Sequence, residues 1–214
     1  MPDDWLRDGE TVVSGSHVLE VVNTPGHTRG HVVFPDIAAG LLFTGDHVLP
    51  TITPSISFEV APSPNPLGNI LASLAVVRGR PDARLLPAHG AVAESVHARI
   101  DQLVHHHGER LGAVEELVRR GAATAYEVAG RLGWTRHDRQ LAALDLFNQM
   151  LAVAETAVHL ELLVGCESQT RRAYWPTSVP EACLEVLPSG RLTAGSTASR
   201  VRSRAFLTAA RKCV

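Results

Sequence analysis

The chain has 214 residues, 20 of them basic and 22 acidic, for a formal net charge of −2, with 45% hydrophobic content. Such a composition suits an ordinary globular protein of about one and a half domains and excludes a chain organised around a bulk charge for nucleic acid. The acidic start MPDDWLRDGE does not resemble a secretory signal, and no apolar run approaches a membrane span, so a cytoplasmic protein without membrane contact is expected.

In chain order, Thr11 to Val13 and His17 to Val22 read as a hairpin turning at Ser14, Gly15 and Ser16. The apolar run Val18, Leu19, Val21, Val22 leads directly into TPGHTRGH, residues 24 to 31, which sets two histidines on a tight Pro-Gly turn. His31 to Phe34 and Gly40 to Thr44 form a second pair of short strands, turning around Pro35 and Asp36. The second of these ends in Gly45, Asp46, His47. Residues 48 to 66, rich in Pro, Ser and Thr, read as a long loop whose Thr51, Thr53, Ser55 and Ser57 offer polar contacts. Ile70, Leu71, Leu74 and Val77 stand near helical spacing within 69–79, and the strand Arg84 to Pro87 ends in Ala88, His89, Gly90. Three strands therefore deliver ligand-type residues to turns.

From Glu94 the pattern becomes helical and links a first domain, 1–93, to a second, 94–167. Consecutive residues of a helix point roughly 100° apart, so the triple His105, His106, His107 cannot converge on one ion and reads as solvated surface. Three further helical patterns follow: Leu111 to Arg120, ended by Gly121; Thr124 to Leu132, opened by Thr124 with Glu127 at capping-box spacing; and Asp145 to Val164, with Phe147, Met150, Leu151, Ala154, Val158 and Leu162 on one stripe. The last helix carries Asp145, Glu155 and Glu161 without Lys or Arg, and the cluster Arg131, Arg136, Arg139 is small, so a structural or substrate-framing role is favoured over reading DNA. Residues 168–214 hold eight of the twenty basic residues and only Glu181 and Glu185 as acids, which reads as a disordered basic tail. RNA or the acidic body of the protein is its candidate partner, and a segment without a selected role is the preferred reading. Cys166, Cys183 and Cys213 are odd in number, lack zinc spacing and read as free thiols.

Zinc accepts imidazole nitrogen and carboxylate oxygen, and a carboxylate between two cations can bind both. His27, Asp46 and His89 fit that division, and Gly26, Gly45 and Gly90 beside them allow sharp turns. The three motifs in this order resemble the second half of the metallo-β-lactamase superfamily. TGDHVLP and LLPAHG resemble its lactamase-B2-type branch, and AYEVAGRLGWTR with FNQMLAVAETAVHLELLV resembles the winged helix attached there.

The resemblance implies an α+β fold: half of an αββα sandwich, then a small all-α winged-helix-like domain and the tail. It makes His27 a ligand of a first metal, Asp46 the bridging and catalytic carboxylate, and His89 a ligand of a second, with His31 and His47 as non-ligands that orient or pack. It also implies zinc, two ions in intact members, and hydrolysis of an ester, thioester, lactam or phosphodiester by metal-activated water. The family's remaining ligands lie in an H-x-H-x-D-H motif ahead of the equivalent of Thr24, where this sequence has 23 residues with His17 as their one histidine. Three consequences are expected: a truncated, impaired hydrolase; at most one zinc, weakly held; and an apolar sheet face open to self-association. The competing function is a non-catalytic nucleic-acid or protein binding module using the winged helix and tail, with RNA endonuclease as the alternative activity of a full-length member.

Overall fold

The computed structural model describes residues 5–56, 59, 63–135 and 137–168, without the side chains of 166–168. Ser57, Arg136, Cys183, Cys213 and the basic tail from 169 onward lie outside the described residues, as does the side chain of Cys166. The chain divides into two compact units at His106/His107, within a long helix, where the sequence reading placed its boundary just ahead of the same helix. The architecture is mixed α+β, as expected.

In the first unit, β1 (Thr11–Ser14) and β2 (His17–Glu20) form the expected hairpin in the register Ser14↔His17, with Gly15 at φ +61° supplying the left-handed turn. Beyond them β3 (Val22–Asn23), β4 (Val32–Asp36), β5 (Leu41–Gly45) and β6 (Arg84–Pro87) form a four-stranded sheet in that order, antiparallel except for the parallel β5–β6 pair. The turn expected at Pro35–Asp36 lies later, at 37–40, because Asp36 belongs to the strand. Its buried carboxylate takes a bond from His17 Nδ1 at 2.6 Å and one from the Ala39 N–H, which closes the hairpin.

Strand alternation divides the sheet into two faces. Val33, Leu42 and Leu85 are buried, whereas Val32, Phe34, Leu41 and Leu86 are half-buried and Phe43 is 38% exposed. Phe34 pairs with Phe43, and Phe43 with Leu86, so one face is an unbroken apolar row. The helix α1 (Pro66–Arg78) buries Leu67, Ile70, Leu71, Leu74 and Val77. It begins earlier than its apolar spacing suggested, because Asn65, held at φ 52°, caps it by accepting the Gly68 N–H and Pro66 suits the first turn.

The helix α2 (Val96–Arg119) absorbs the separate helix expected at Leu111 to Arg120, running through Gly108 and Gly112 without a break. The second unit starts within it. Thr124 caps α3 (Ala125–Ala129) by accepting the Glu127 N–H, and Glu127 reaches back to the Ala123 N–H, one residue ahead of the reciprocal bond in a standard capping box. Asp145 caps α4 (Leu146–Ser168) through the Asn148 N–H, as its position suggested.

The core of this unit gathers Val114, Val128, Ala129, Leu132, Trp134, Leu141, Ala152 and Leu160. Trp134 donates its indole N–H to the Ala129 carbonyl, and the Arg110 guanidinium lies 4.3 Å over its ring. Two expectations fail here. Phe147 and Met150, placed on the buried stripe of the last helix, are more than half exposed because its start runs past the core; Val158 and Leu162 of that stripe are buried, together with Ala152, Thr156 and His159. Nor is the histidine triple uniformly solvated: His105 is exposed, but His107 is 1% exposed against His159, with ring centroids 5.5 Å apart.

Candidate metal centre

Three of the histidine-bearing turns open on one end of the four-stranded sheet. His27 lies in the turn between β3 and β4, Asp46 follows β5, and His89 follows β6. The parallel β5–β6 pairing carries Asp46 and His89 out on the same side, and the bond from Ala88 N–H to the Gly45 carbonyl (2.9 Å) ties the two exits together.

Asp46 stands between the two imidazoles. Its Oδ2 is 4.0 Å from His27 Nε2 and its Oδ1 is 3.5 Å from His89 Nε2. The structure therefore brings together the three residues singled out from sequence, with one carboxylate oxygen toward each ring. Both separations exceed ordinary hydrogen-bond lengths. Exposure rises across the group, from 23% for His27 and 30% for Asp46 to 74% for His89, so the centre is an open edge.

His27 is oriented from behind. Its Nδ1 lies 2.9 Å from the Ser55 carbonyl oxygen, an acceptor only, so the ring proton sits on Nδ1 and Nε2 keeps its lone pair on the Asp46 side. The loop that supplies this carbonyl is itself held: Thr44 Oγ1 donates to the Val48 carbonyl, and Arg99 on α2 donates from Nε to Leu49 O at 2.6 Å and from Nη2 to Ile52 O at 2.9 Å. Neither Ser55 as an orienting carbonyl nor Arg99 was legible in the sequence, since any residue offers a carbonyl and the arginine lies 50 and 47 positions from the carbonyls it holds.

His31 and His47, expected to orient or pack, do not fix the His27 tautomer, since His27 Nδ1 lies against the Ser55 carbonyl. His31 bonds Thr24 and the Asp46 backbone, and burial together with His27 holds its pKa below the ordinary histidine range. His47 is 1% exposed, its ring 5.9 Å from that of His31. Burial pushes its pKa down to about 3, and neither ring nitrogen has a hydrogen bond of normal geometry among the described residues.

Two glycines are required by space. A Cβ on Gly26 would lie 2.1 Å from Ile70 Cγ1 and 2.9 Å from the α1 backbone, so the turn that carries His27 packs directly on that helix. Gly45, at φ +53°, has the His31 ring 2.7 Å from where its Cβ would stand.

The donor chemistry of these residues suits a metal, but their convergence is incomplete. Among the described residues no group of three or more His, Cys, Asp or Glu side chains surrounds a single ion position. One ion shared by His27, Asp46 and His89 is therefore not what this geometry offers. It sets one Asp46 carboxylate oxygen toward each of two imidazoles, 4.0 Å from His27 and 3.5 Å from His89.

Residues 2–89 match the family model described as the metallo-beta-lactamase superfamily. The fold is similar to a solved beta-lactamase domain protein from Burkholderia ambifaria, with a TM-score of 0.65 and 33% identity over 78% of this chain and 48% of that one. Among curated proteins it is 29% identical over 140 residues to the lactamase-like protein nscB of Neosartorya fischeri, 58% of this chain and 40% of that one. It is also 43% identical over 47 residues to a hydroxyacylglutathione hydrolase of Fuscovulum blasticum, 22% of this chain and 18% of that one. The chain thus spans less than half the length of each of these relatives. With the ordered series of turns and the position of Asp46 between two imidazoles, these likenesses make residues 2–89 of this chain similar to the metallo-β-lactamase superfamily.

Proposed function

We propose that the first unit contributes one half of an αββα sandwich and carries, at its sheet edge, part of the metal centre of a zinc-dependent hydrolase. The observation that carries this reading is the placement of the two Asp46 oxygens, each facing a different imidazole. A carboxylate so placed suits a bridge between two cations. The apolar row Phe34, Phe43, Leu86 is the face on which the second layer of such a sandwich would pack.

In this arrangement His27 Nε2 and Asp46 Oδ2 would hold one ion, and Asp46 Oδ1 and His89 Nε2 the other. Bound zinc supplies Lewis-acid polarisation of a scissile carbonyl or phosphoryl group and lowers the pKa of a water to roughly 7. The chain's own residues orient the donors: Ser55 O sets the His27 proton on Nδ1, and the Arg99-anchored loop keeps that carbonyl in place. A catalytic zinc normally takes three protein ligands, so two per ion predicts weak binding by these residues alone.

The substrate classes supported are ester, thioester, lactam and phosphodiester, with acyl substrates favoured by the similarity to a hydroxyacylglutathione hydrolase. The test is hydrolysis of a panel of these substrates by metal-free protein titrated with zinc. Turnover that requires zinc and is lost in His89→Ala supports the reading. Turnover indifferent to zinc or to His89→Ala overturns it.

A further inference from the structure

We infer that Thr24 and His31 form a positioning relay that sets the direction in which Asp46 leaves the sheet. This rests on the reading of Asp46 as a metal ligand but concerns residues that are not themselves ligands. The relay follows from donor and acceptor logic. The Asp46 backbone N–H can only donate, and its nitrogen lies 3.2 Å from His31 Nε2, so Nε2 accepts. A neutral imidazole accepting at Nε2 carries its proton on Nδ1, which lies 2.9 Å from Thr24 Oγ1 and donates to it.

The hydroxyl is immobile. Thr24 is fully buried, and its own N–H donates to the His31 carbonyl at 2.8 Å, so the two residues are clamped at backbone and side chain together. The His31 ring also occupies the space over Gly45. That residue has φ +53° and no room for a Cβ, so the ring spans the last residue of β5 and grips the N–H of the next. Thr24 fixes the tautomer, the tautomer presents a lone pair to Asp46, and the carboxylate starts from a fixed backbone.

Four measurements on the metal-free and zinc-titrated protein test this: the His31 tautomer by long-range proton–nitrogen NMR, hydrogen exchange of the Asp46 amide, zinc affinity and the thermal midpoint. The wild-type ring is expected to carry its proton on Nδ1. Thr24→Val removes the acceptor while keeping the shape; it is expected to mix the tautomers, speed Asp46 amide exchange about 10-fold and weaken zinc binding by a similar factor. Thr24→Ser, which restores the acceptor, is expected to return all three toward wild type, and His31→Leu to show the largest exchange increase.

A wild-type proton on Nε2, or a Thr24→Val protein with unchanged amide exchange, overturns the relay. A loss of zinc affinity in Thr24→Val that follows a fall in thermal midpoint and is not rescued by Thr24→Ser also overturns it, as a packing effect. Absence of zinc binding in the wild type overturns the metal reading instead; amide exchange then decides the relay alone, and faster exchange in Thr24→Val supports it.

Discussion

The two units use histidine in opposite ways. In the first, His27 and His89 are held at an accessible edge, each presenting Nε2 toward a carboxylate oxygen of Asp46. In the second, His107 and His159 are buried against one another: His159 Nδ1 donates to the Glu155 carbonyl at 2.7 Å, so its Nε2 can accept from His107 Nδ1 at 3.4 Å. One arrangement leaves a lone pair facing an anion across a gap, and the other satisfies polar groups inside a core. Whether a histidine is poised to bind a ligand is set by what holds its far nitrogen and what its near nitrogen faces. Residue type alone does not decide it, and neither does local density, since within three consecutive histidines His107 is buried while His105 is exposed.

Substitutions should separate these uses, and the largest effect is expected where backbone meets backbone. Gly26→Ala places a Cβ within 2.9 Å of the α1 main chain, so it should destabilise the first unit by about 3 kcal/mol or more in chemical denaturation and scatter the ligand turn. In the second unit, His159→Ala should cost about 2–3 kcal/mol by opening a cavity and leaving the His107 donor without its acceptor, with zinc binding unchanged. If His159→Ala abolished zinc binding without unfolding the protein, the contrast between the two units would fail.

Acid should act on the two units with opposite sign. His47 is depressed from 6.5 to about 3, so the unfolded chain takes up a proton that the folded one refuses. The first unit should therefore keep its His47-dependent stability above pH 6.5 and lose roughly 1.4 kcal/mol per pH unit as pH falls toward 3. His47→Leu should flatten that slope, which pH-dependent denaturation of the two proteins would show. Glu155 moves the other way: burial raises its pKa, opposed by Arg110 at 3.9 Å, so its contribution is present at low pH and lost as pH rises through the folded value. Glu155→Gln should raise the thermal midpoint at pH 7 by a few degrees at most, the smallest effect predicted here.

Much of the edge was legible in sequence because strand, turn and ligand type coincide there. TPGHTRGH, Gly45–Asp46 and His89–Gly90 each follow an apolar run, and His27, Asp46 and His89 stand at the one sheet end where those strands stop. The β1–β2 and β4–β5 pairings also followed from their short connections. What was not legible depends on tertiary partners. The β4 turn moved because Asp36 finds His17 on β2, 19 residues earlier, a bond without local signature. The start of the α4 stripe was misjudged because apolar periodicity cannot show where a helix overruns its core, and His107 was read as surface because its cover, His159, lies 52 residues away. The orienting group behind His27 is a backbone carbonyl, which no residue type announces.

The most direct test of the central claim is zinc bound per chain after metal-free purification and zinc titration, measured by elemental analysis for the native protein and for Asp46→Ala. Weak, saturable binding to the native chain that disappears in Asp46→Ala, while the two proteins unfold at the same temperature, is the predicted result. Equal zinc in both, or none in either, would contradict the assignment of Asp46 as the bridge of a metal centre.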